Sequence, residues 1–255
     1  MVRSVGAGVT DLKVGDRVMA YMMHSGLAEQ ILLDASSCVK LPPGLDFVPA
    51  AAFVLTYGTA LYGLQYRAHL QRGENLLVMG AAGGTGIAAI EVGKCLGARV
   101  IAAASTADKL DLCRKHGADE TINYDSEDLK QRIRDLTGGE GADVVFDPVG
   151  GKYSEQALRS TAWDGRLVVI GFAAGDIPKV PLNLPLLRNC AILGSPFGAF
   201  LRKTLENKQR LLGDLMAMFA TGGLRPDVTK TYPLAQGGQA IRDMMERRVR
   251  GKVAV

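Results

Sequence analysis

The stretch Leu76–Lys109, LLVMGAAGGTGIAAIEVGKCLGARVIAAASTADK, carries the residues best suited to chemistry. Gly80-Ala81-Ala82-Gly83-Gly84-Thr85-Gly86 follows an apolar run and opens a helical one. Glycine permits positive φ and close approach of the backbone to a phosphate. A helix starting near Thr85 offers free N–H groups and the positive end of its dipole to a pyrophosphate. Gly86 lets helix and strand pack closely. Against the common G-x-G-x-x-G pattern, Ala81 stands first, giving A-x-G-x-x-G. Such a turn is by itself only a strand–helix corner; within a repeated strand–helix order it points to a dinucleotide.

The second apolar run, Arg99–Ala104, selects among dinucleotides. NAD sites commonly end this strand with an acid on the ribose 2′-hydroxyl. Here Ser105 holds that position and Lys109 follows four residues on. A hydroxyl and an ammonium suit a 2′-phosphate, which an acid would repel. Asp108 is counted as favourable charge in the first helical turn. The expected cofactor is therefore NADPH rather than NADH.

Other reactive residue types form no cluster. Cys38, Cys95, Cys113 and Cys190 are far apart, without a C-x-x-C pair, which indicates neither a zinc knuckle nor a redox dithiol. His24, His69 and His116 are isolated and read as surface or structural histidines. Thirty basic against 26 acidic residues leave a net charge of +4, mild for a nucleic-acid coat and sufficient for a small anion. The one basic run, Arg247-Arg248-Val249-Arg250-Gly251-Lys252, has no aromatic platform beside it and reads as a solvated helix end, so RNA is not expected as a partner.

The elements that must position the turn follow from pattern. From Asn75, strand-like and helical runs alternate: NLLVMG then TGIAAIEVGKCLG, ARVIAAA then ADKLDLCRKHG, ETINY then SEDLKQRIRDLTGG, ADVVFDPVG then YSEQALRSTAW, then GRLVVIGF and NCAILGS. Apolar runs without alternation, such as Leu76–Met79 and Val100–Ala104, mark strands buried on both faces. The order predicts an α/β fold with a doubly wound parallel sheet. Residues 1–47 read as β-rich, through DRVMAYM, GLAEQILLD and CVKL. Residues 49–70, 199–221 and 236–249 read as helical. No stretch reaches the length expected of a membrane span, no secretory signal is visible, and a cytoplasmic protein is expected, an organelle such as the mitochondrion being left open.

The motif order VGDRV, GLAE, LPPGLDF, AAAFVLTYGTALYGL, LVMGAAGGTG, ASTADK, GADETINY, GADVVFDPVGG, GRLVVIGF, GKVAV resembles the medium-chain dehydrogenase/reductase superfamily. Within it, the chain resembles the zinc-free NADPH:quinone oxidoreductase branch, relatives of zeta-crystallin, over essentially its whole length. The resemblance implies a Rossmann-type domain inserted into a GroES-like β domain. The divisions would be 1–47 for the partial GroES-like part, 48–195 for the NADP-binding domain, and 196–255 for the return. It also implies hydride transfer from NADPH to a quinone or an α,β-unsaturated carbonyl, without zinc, in a homodimer or homotetramer. By the same resemblance Thr56 faces the nicotinamide amide. Gly83, Gly84, Thr85 and Gly86 cradle the pyrophosphate. Ser105, Lys109 and Tyr124 hold the 2′-phosphate and adenosine ribose. Val149, Gly150, Gly171, Phe172 and Ala173 lie along the nicotinamide ribose. No metal is expected, since PAAAFVLTYG offers no Cys ligand.

The family pattern is met from the middle of its first domain, and the motif that supplies polar residues beside the nicotinamide is not found. An N-terminally shortened chain is the expectation. No catalytic acid or base is assigned; Tyr21, Tyr57 and Tyr62 are all candidates for the proton donor. Two alternatives accompany the quinone reductase: an enoyl or 2-alkenal reductase, and a non-catalytic NADPH-binding module or redox sensor. The strand NCAILGSPFG is expected to pair with its twin across a two-fold axis.

Overall fold

The computed structural model describes every residue except Met23 and Arg247; the side chain of Leu205 also lies outside the description. The chain divides into two compact units, Met1–Leu55 with Pro226–Val255, and Thr56–Arg225.

The first unit holds short strands. β1 (Val18–Ala20) pairs antiparallel with β2 (Cys38–Lys40), with Met19 opposite Val39. GLAEQILLD, expected as a strand, is irregular, and Leu32 on it is 97% exposed. It finds no strand to pair with among the described residues.

The helix α1 (Phe47–Leu61) follows and continues as a π-helical turn, Tyr62–Arg67. The continuous helix Phe47–Arg67 runs for 21 residues and its most apolar 18-residue window has a mean hydropathy of 1.5, which corrects the expectation that no stretch is long and apolar enough to span a bilayer. Of its most apolar window 61% is buried inside the protein, as in the core helix of a globular fold.

The second unit is built on β3 (Asn75–Met79), α2 (Gly84–Cys95), β4 (Arg99–Ala104), α3 (Ala107–Lys115), β5 (Glu120–Asn123), α4 (Leu129–Leu136), β6 (Ala142–Asp147), α5 (Lys152–Leu158), β7 (Thr161–Val169), α6 (Asn183–Arg188) and β8 (Ala191–Gly194). The six strands form one parallel sheet in the order β5-β4-β3-β6-β7-β8. The apolar runs explain it: β3, β4 and β6 are buried on nearly every residue, which requires cover on both faces. On one face Leu77, Met79, Ile101, Ile122 and Val145 pack with Leu129, Ile133 and Leu158 from the helices. On α2, a Cβ at Gly93 would sit 2.5 Å from Leu76 Cδ2, so this helix lies close on β3.

Two boundaries differ from the sequence reading. STAW, read as the end of a helix, opens β7, because α5 stops at Leu158 and Thr161 pairs with Ala142. The helical tract 199–221 is two helices, α7 (Phe197–Lys203) and α8 (Leu205–Ala220), divided at Thr204. The hydroxyl of Thr204 accepts from the N–H of Asn207 and caps α8.

Back in the first unit, β9 (Lys230–Thr231) pairs with β10 (Val253–Ala254), and α9 (Gly237–Met245) lies between them in sequence. Asp243 on α9 accepts from the Tyr232 hydroxyl at 2.5 Å and from Arg248 at 2.7 Å.

Candidate functional site

Strand order reverses between β3 and β6, and all six strands run the same way, so their carboxyl ends share one edge. Ligands of open α/β sheets bind in the crevice at such a switch point. Every sequence-predicted site residue except Thr56 follows the end of one of these strands. The turn 80–86 follows β3. Ser105 and Lys109 follow β4. Tyr124 follows β5, Val149 and Gly150 follow β6, and Gly171, Phe172 and Ala173 follow β7. Thr56 stands apart on α1 and is 5% exposed.

The glycine turn is folded by its own backbone. Gly83 N–H donates to Gly80 O at 3.0 Å, and Ala81 N–H to Ala103 O at 3.0 Å. Gly83 is the extended residue before α2, and the first helical bond runs from Ile87 N–H to Gly83 O at 2.9 Å. The N–H groups of Gly84, Thr85 and Gly86 therefore have no acceptor within the helix. Gly83 is exposed and Gly84 and Thr85 are half-buried, so the helix start is open. A Cβ at Gly86 would lie 2.6 Å from Ala81 O, against backbone that cannot swing away. Only glycine lets the helix begin this close to the strand it leaves. The arrangement is a set of inward backbone donors at a helix N-terminus, suited to an anion.

Ser105 and Lys109 meet: Lys109 Nζ donates to Ser105 Oγ at 3.0 Å. Both are half-buried. One turn of α3 places the ammonium over the end of β4, next to the strand that bears the glycine turn. Tyr124 N–H donates to Ala104 O at 3.2 Å, which ties the end of β5 to the same place. The Tyr124 ring packs against Tyr153, centroids 4.6 Å apart, as well as against the core.

The loops after β6 and β7 are zipped together. Ala173 N–H donates to Pro148 O at 3.1 Å and Ala174 N–H to Val149 O at 2.8 Å. Gly150 has φ +70°, and a Cβ there would lie 2.8 Å from Phe172 Cδ1. Val149 in turn borders the glycine turn, its Cγ2 only 2.6 Å from where a Cβ at Gly80 would be. A continuous chain of contacts thus joins Tyr124, the Ser105–Lys109 end, the glycine turn, Val149-Gly150 and Gly171-Phe172-Ala173.

Sequence reasoning missed two residues here. Asp147, 3% exposed at the end of β6, accepts from the N–H groups of Val149 at 2.9 Å and Gly150 at 3.0 Å through Oδ1, and from the Ser154 hydroxyl at 2.6 Å through Oδ2. It sets the shape of the loop that meets the glycine turn. An acid ending an apolar strand before Pro-x-Gly-Gly was the available signal. Ser195, after β8, buries a hydroxyl with no hydrogen-bond partner among the described residues. Nothing in the sequence marks it.

An apolar pocket of about 210 Å³ adjoins the zipped loops, with Phe172, Ile177, Val180 and Ile192 in its wall. It is smaller than the roughly 300–1,000 Å³ of small-molecule sites. Of the sequence-predicted residues only Phe172 lines it. The donors at the strand ends, rather than this pocket, define the site. Among the described residues no group of three or more His, Cys, Asp and Glu side chains is placed to hold a metal ion.

A doubly wound parallel sheet in this strand order, with a glycine-rich turn at its switch point, belongs to the Rossmann-type class of α/β proteins. Comparison with known proteins narrows the class. The family described as zinc-binding dehydrogenase matches residues 84–213. The bovine (Bos taurus) quinone oxidoreductase-like protein 2 is 37% identical over 99% of this chain and 73% of its own length. A mycobacterial protein solved in complex with NADPH superposes with a TM-score of 0.92, at 31% identity, over 100% of this chain and 80% of its own. The CurK enoyl reductase superposes with a TM-score of 0.89, at 29% identity, over 98% and 75%. The chain belongs to the zinc-free quinone oxidoreductase branch of the medium-chain dehydrogenase/reductase superfamily.

Proposed function

We propose that this chain is an NADPH-dependent oxidoreductase that reduces a quinone or an α,β-unsaturated carbonyl without a metal. The observation that carries the reading is the convergence, at one sheet edge, of an open helix N-terminus and the Ser105–Lys109 pair. In this reading Gly83, Gly84, Thr85 and Gly86 cradle the pyrophosphate, with the N–H groups of the last three as its donors. Lys109 and Ser105 take the 2′-phosphate, with Tyr124 beside the adenosine ribose. Val149, Gly150, Gly171, Phe172 and Ala173 line the path toward the nicotinamide, and Thr56 meets its amide. Bound NADPH supplies a hydride; with a proton from solvent or a side chain, a quinone takes up two electrons and becomes the hydroquinone. The protein's part is to place donor and acceptor and keep them in register. The name of the enoyl reductase among the structural relatives supports the enone as second acceptor class.

The divisions 1–47, 48–195 and 196–255, a cytoplasmic location and a homodimer through β8 belong to the same proposal. β8 is the edge of the sheet, and Ile192 on it is 42% exposed. The basic run 247–252 is not proposed as an RNA site. Arg247 of the basic run lies outside the described residues, and Arg248 is engaged by Asp243.

Calorimetric titration of the full chain with NADPH and NADH tests the cofactor, and oxidation of NADPH at 340 nm with a 1,4-quinone or an enone tests the reaction. Tighter NADPH binding with turnover is expected. NADPH binding without turnover of either acceptor would point to the non-catalytic module, and no preference for NADPH would refute the reading of Ser105 and Lys109.

A further inference from the structure

Glu91 lies in the middle of α2, the helix that begins at the glycine turn, in the run GIAAIEVGKC. Its side chain is 3% exposed. A carboxylate in such a place is costly unless its oxygens are fully engaged. They are. Tyr57 donates its hydroxyl to Oε2 at 2.7 Å, and the backbone N–H of Arg225 donates to the same oxygen at 2.7 Å. His116 Nδ1 lies 2.6 Å from Oε1, with the imidazole 7% exposed. The Oε1–Nδ1 contact is a single hydrogen bond whose donor is set by the imidazole tautomer.

The three partners come from three separate segments, two of them on or at the end of helices that carry residues of the proposed site. Tyr57 directly follows Thr56 on α1. His116 is the residue that ends α3, the helix carrying Lys109. Arg225 is the last residue of the second unit, and Thr56 is its first. One carboxylate therefore ties both ends of this unit, and the far end of the 2′-phosphate helix, to the helix of the glycine turn.

We propose that Glu91 is a positioning residue: through Tyr57 it fixes where Thr56, and with it the nicotinamide end of the site, stands relative to the glycine turn. The inference rests on the NADPH reading for its ligand, and on the hydrogen bonds alone for the tie. A buried network kept only for stability would hold the whole fold and favour no part of the site. A positioning role makes the nicotinamide half of the cofactor more sensitive than the adenosine half.

The test compares two ligands on the full chain. NADPH spans the site, whereas adenosine 2′,5′-bisphosphate reaches only the glycine turn, Ser105, Lys109 and Tyr124. In Tyr57→Phe, which removes one donor and no volume from the core, NADPH affinity should fall roughly fivefold or more while the bisphosphate stays within about twofold of wild type. Glu91→Gln should behave alike but more mildly. Its Oε1 can still accept from Tyr57 and Arg225, and its NH2 can donate to His116 when Nδ1 is bare. Equal changes for both ligands, or none, would overturn the proposal. Hydrogen exchange of the nucleotide-free protein supplies the second readout. Tyr57→Phe should speed exchange at residues 56–58 and at Arg225 but not within β3 or β4; unchanged exchange there overturns the tie. A wild type that binds neither ligand refutes the NADPH reading instead, and the exchange result then decides the tie by itself.

Discussion

Replacing Lys109 with alanine is the most direct test of cofactor choice. Lys109 Nζ sits 3.0 Å from Ser105 Oγ, so a phosphate held by the serine is also within reach of the ammonium. A unit charge pair about 4 Å apart is worth about 1 kcal/mol in water and about 4 kcal/mol at the effective dielectric of a protein surface. Both residues are half-buried, which places the pair between these limits. Screening at physiological salt has a length of about 8 Å and weakens such a contact only in part. A loss of about 1.5–2.5 kcal/mol is expected, that is, roughly 10- to 70-fold weaker NADPH binding. NADH lacks the phosphate and should change by less than about twofold. The fold should not suffer, because alanine is the better helix former in the first turn of α3. Parallel titrations with NADPH and NADH at two salt concentrations read the effect, and the wild-type preference for NADPH should itself shrink at the higher salt. Equal losses for the two nucleotides would refute the reasoning, because they would mean that Lys109 shapes the turn rather than reading the phosphate.

Three further outcomes follow from the geometry. Asp147→Ala leaves the N–H groups of Val149 and Gly150 and the Ser154 hydroxyl without their acceptor and should cost about 3 kcal/mol or more in urea unfolding, with nucleotide affinity falling as the loop loosens. Gly150→Ala combines φ +70° with a Cβ 2.8 Å from Phe172 Cδ1, and about 1–3 kcal/mol of destabilisation is expected; a neutral effect in the same assay would contradict the zipped-loop geometry. The bonds from Tyr232, Arg248 and Gln239 hold the Asp243 carboxyl well below the usual carboxylate range. A folded-state value below the unfolded one means that its contribution is complete above the unfolded value, near 4, and fades as pH drops from there toward the folded value. Thermal melts between about pH 5 and pH 3 should therefore fall less steeply for Asp243→Asn than for wild type, and parallel slopes would count against it.

The sequence alone determined the sheet and the gathering of most candidate residues at one edge of it. Apolar runs without alternation in β3, β4 and β6 demand cover on both faces, and that demand yields a doubly wound parallel sheet. Parallel strands put all their carboxyl ends on one edge, so residues after those ends had to gather there. The identity of Ser105 and the spacing to Lys109 were equally local: four residues is one helical turn, and the two side chains do meet. Local pattern failed where pairing partners decide. GLAEQILLD, read as a strand, stays irregular, and Thr161–Trp163 became strand because Thr161 found Ala142.

What only the tertiary structure decided is the support beneath the site. Asp147 and Glu91 each look like a stray acid in an apolar run. Their roles depend on donors that arrive from elsewhere: Ser154 from the next helix, and Tyr57, His116 and Arg225 from positions 34, 25 and 134 residues away. A buried carboxylate is tolerable only when such donors converge on it, and convergence of distant segments is a property of the folded chain, not of any window of its sequence.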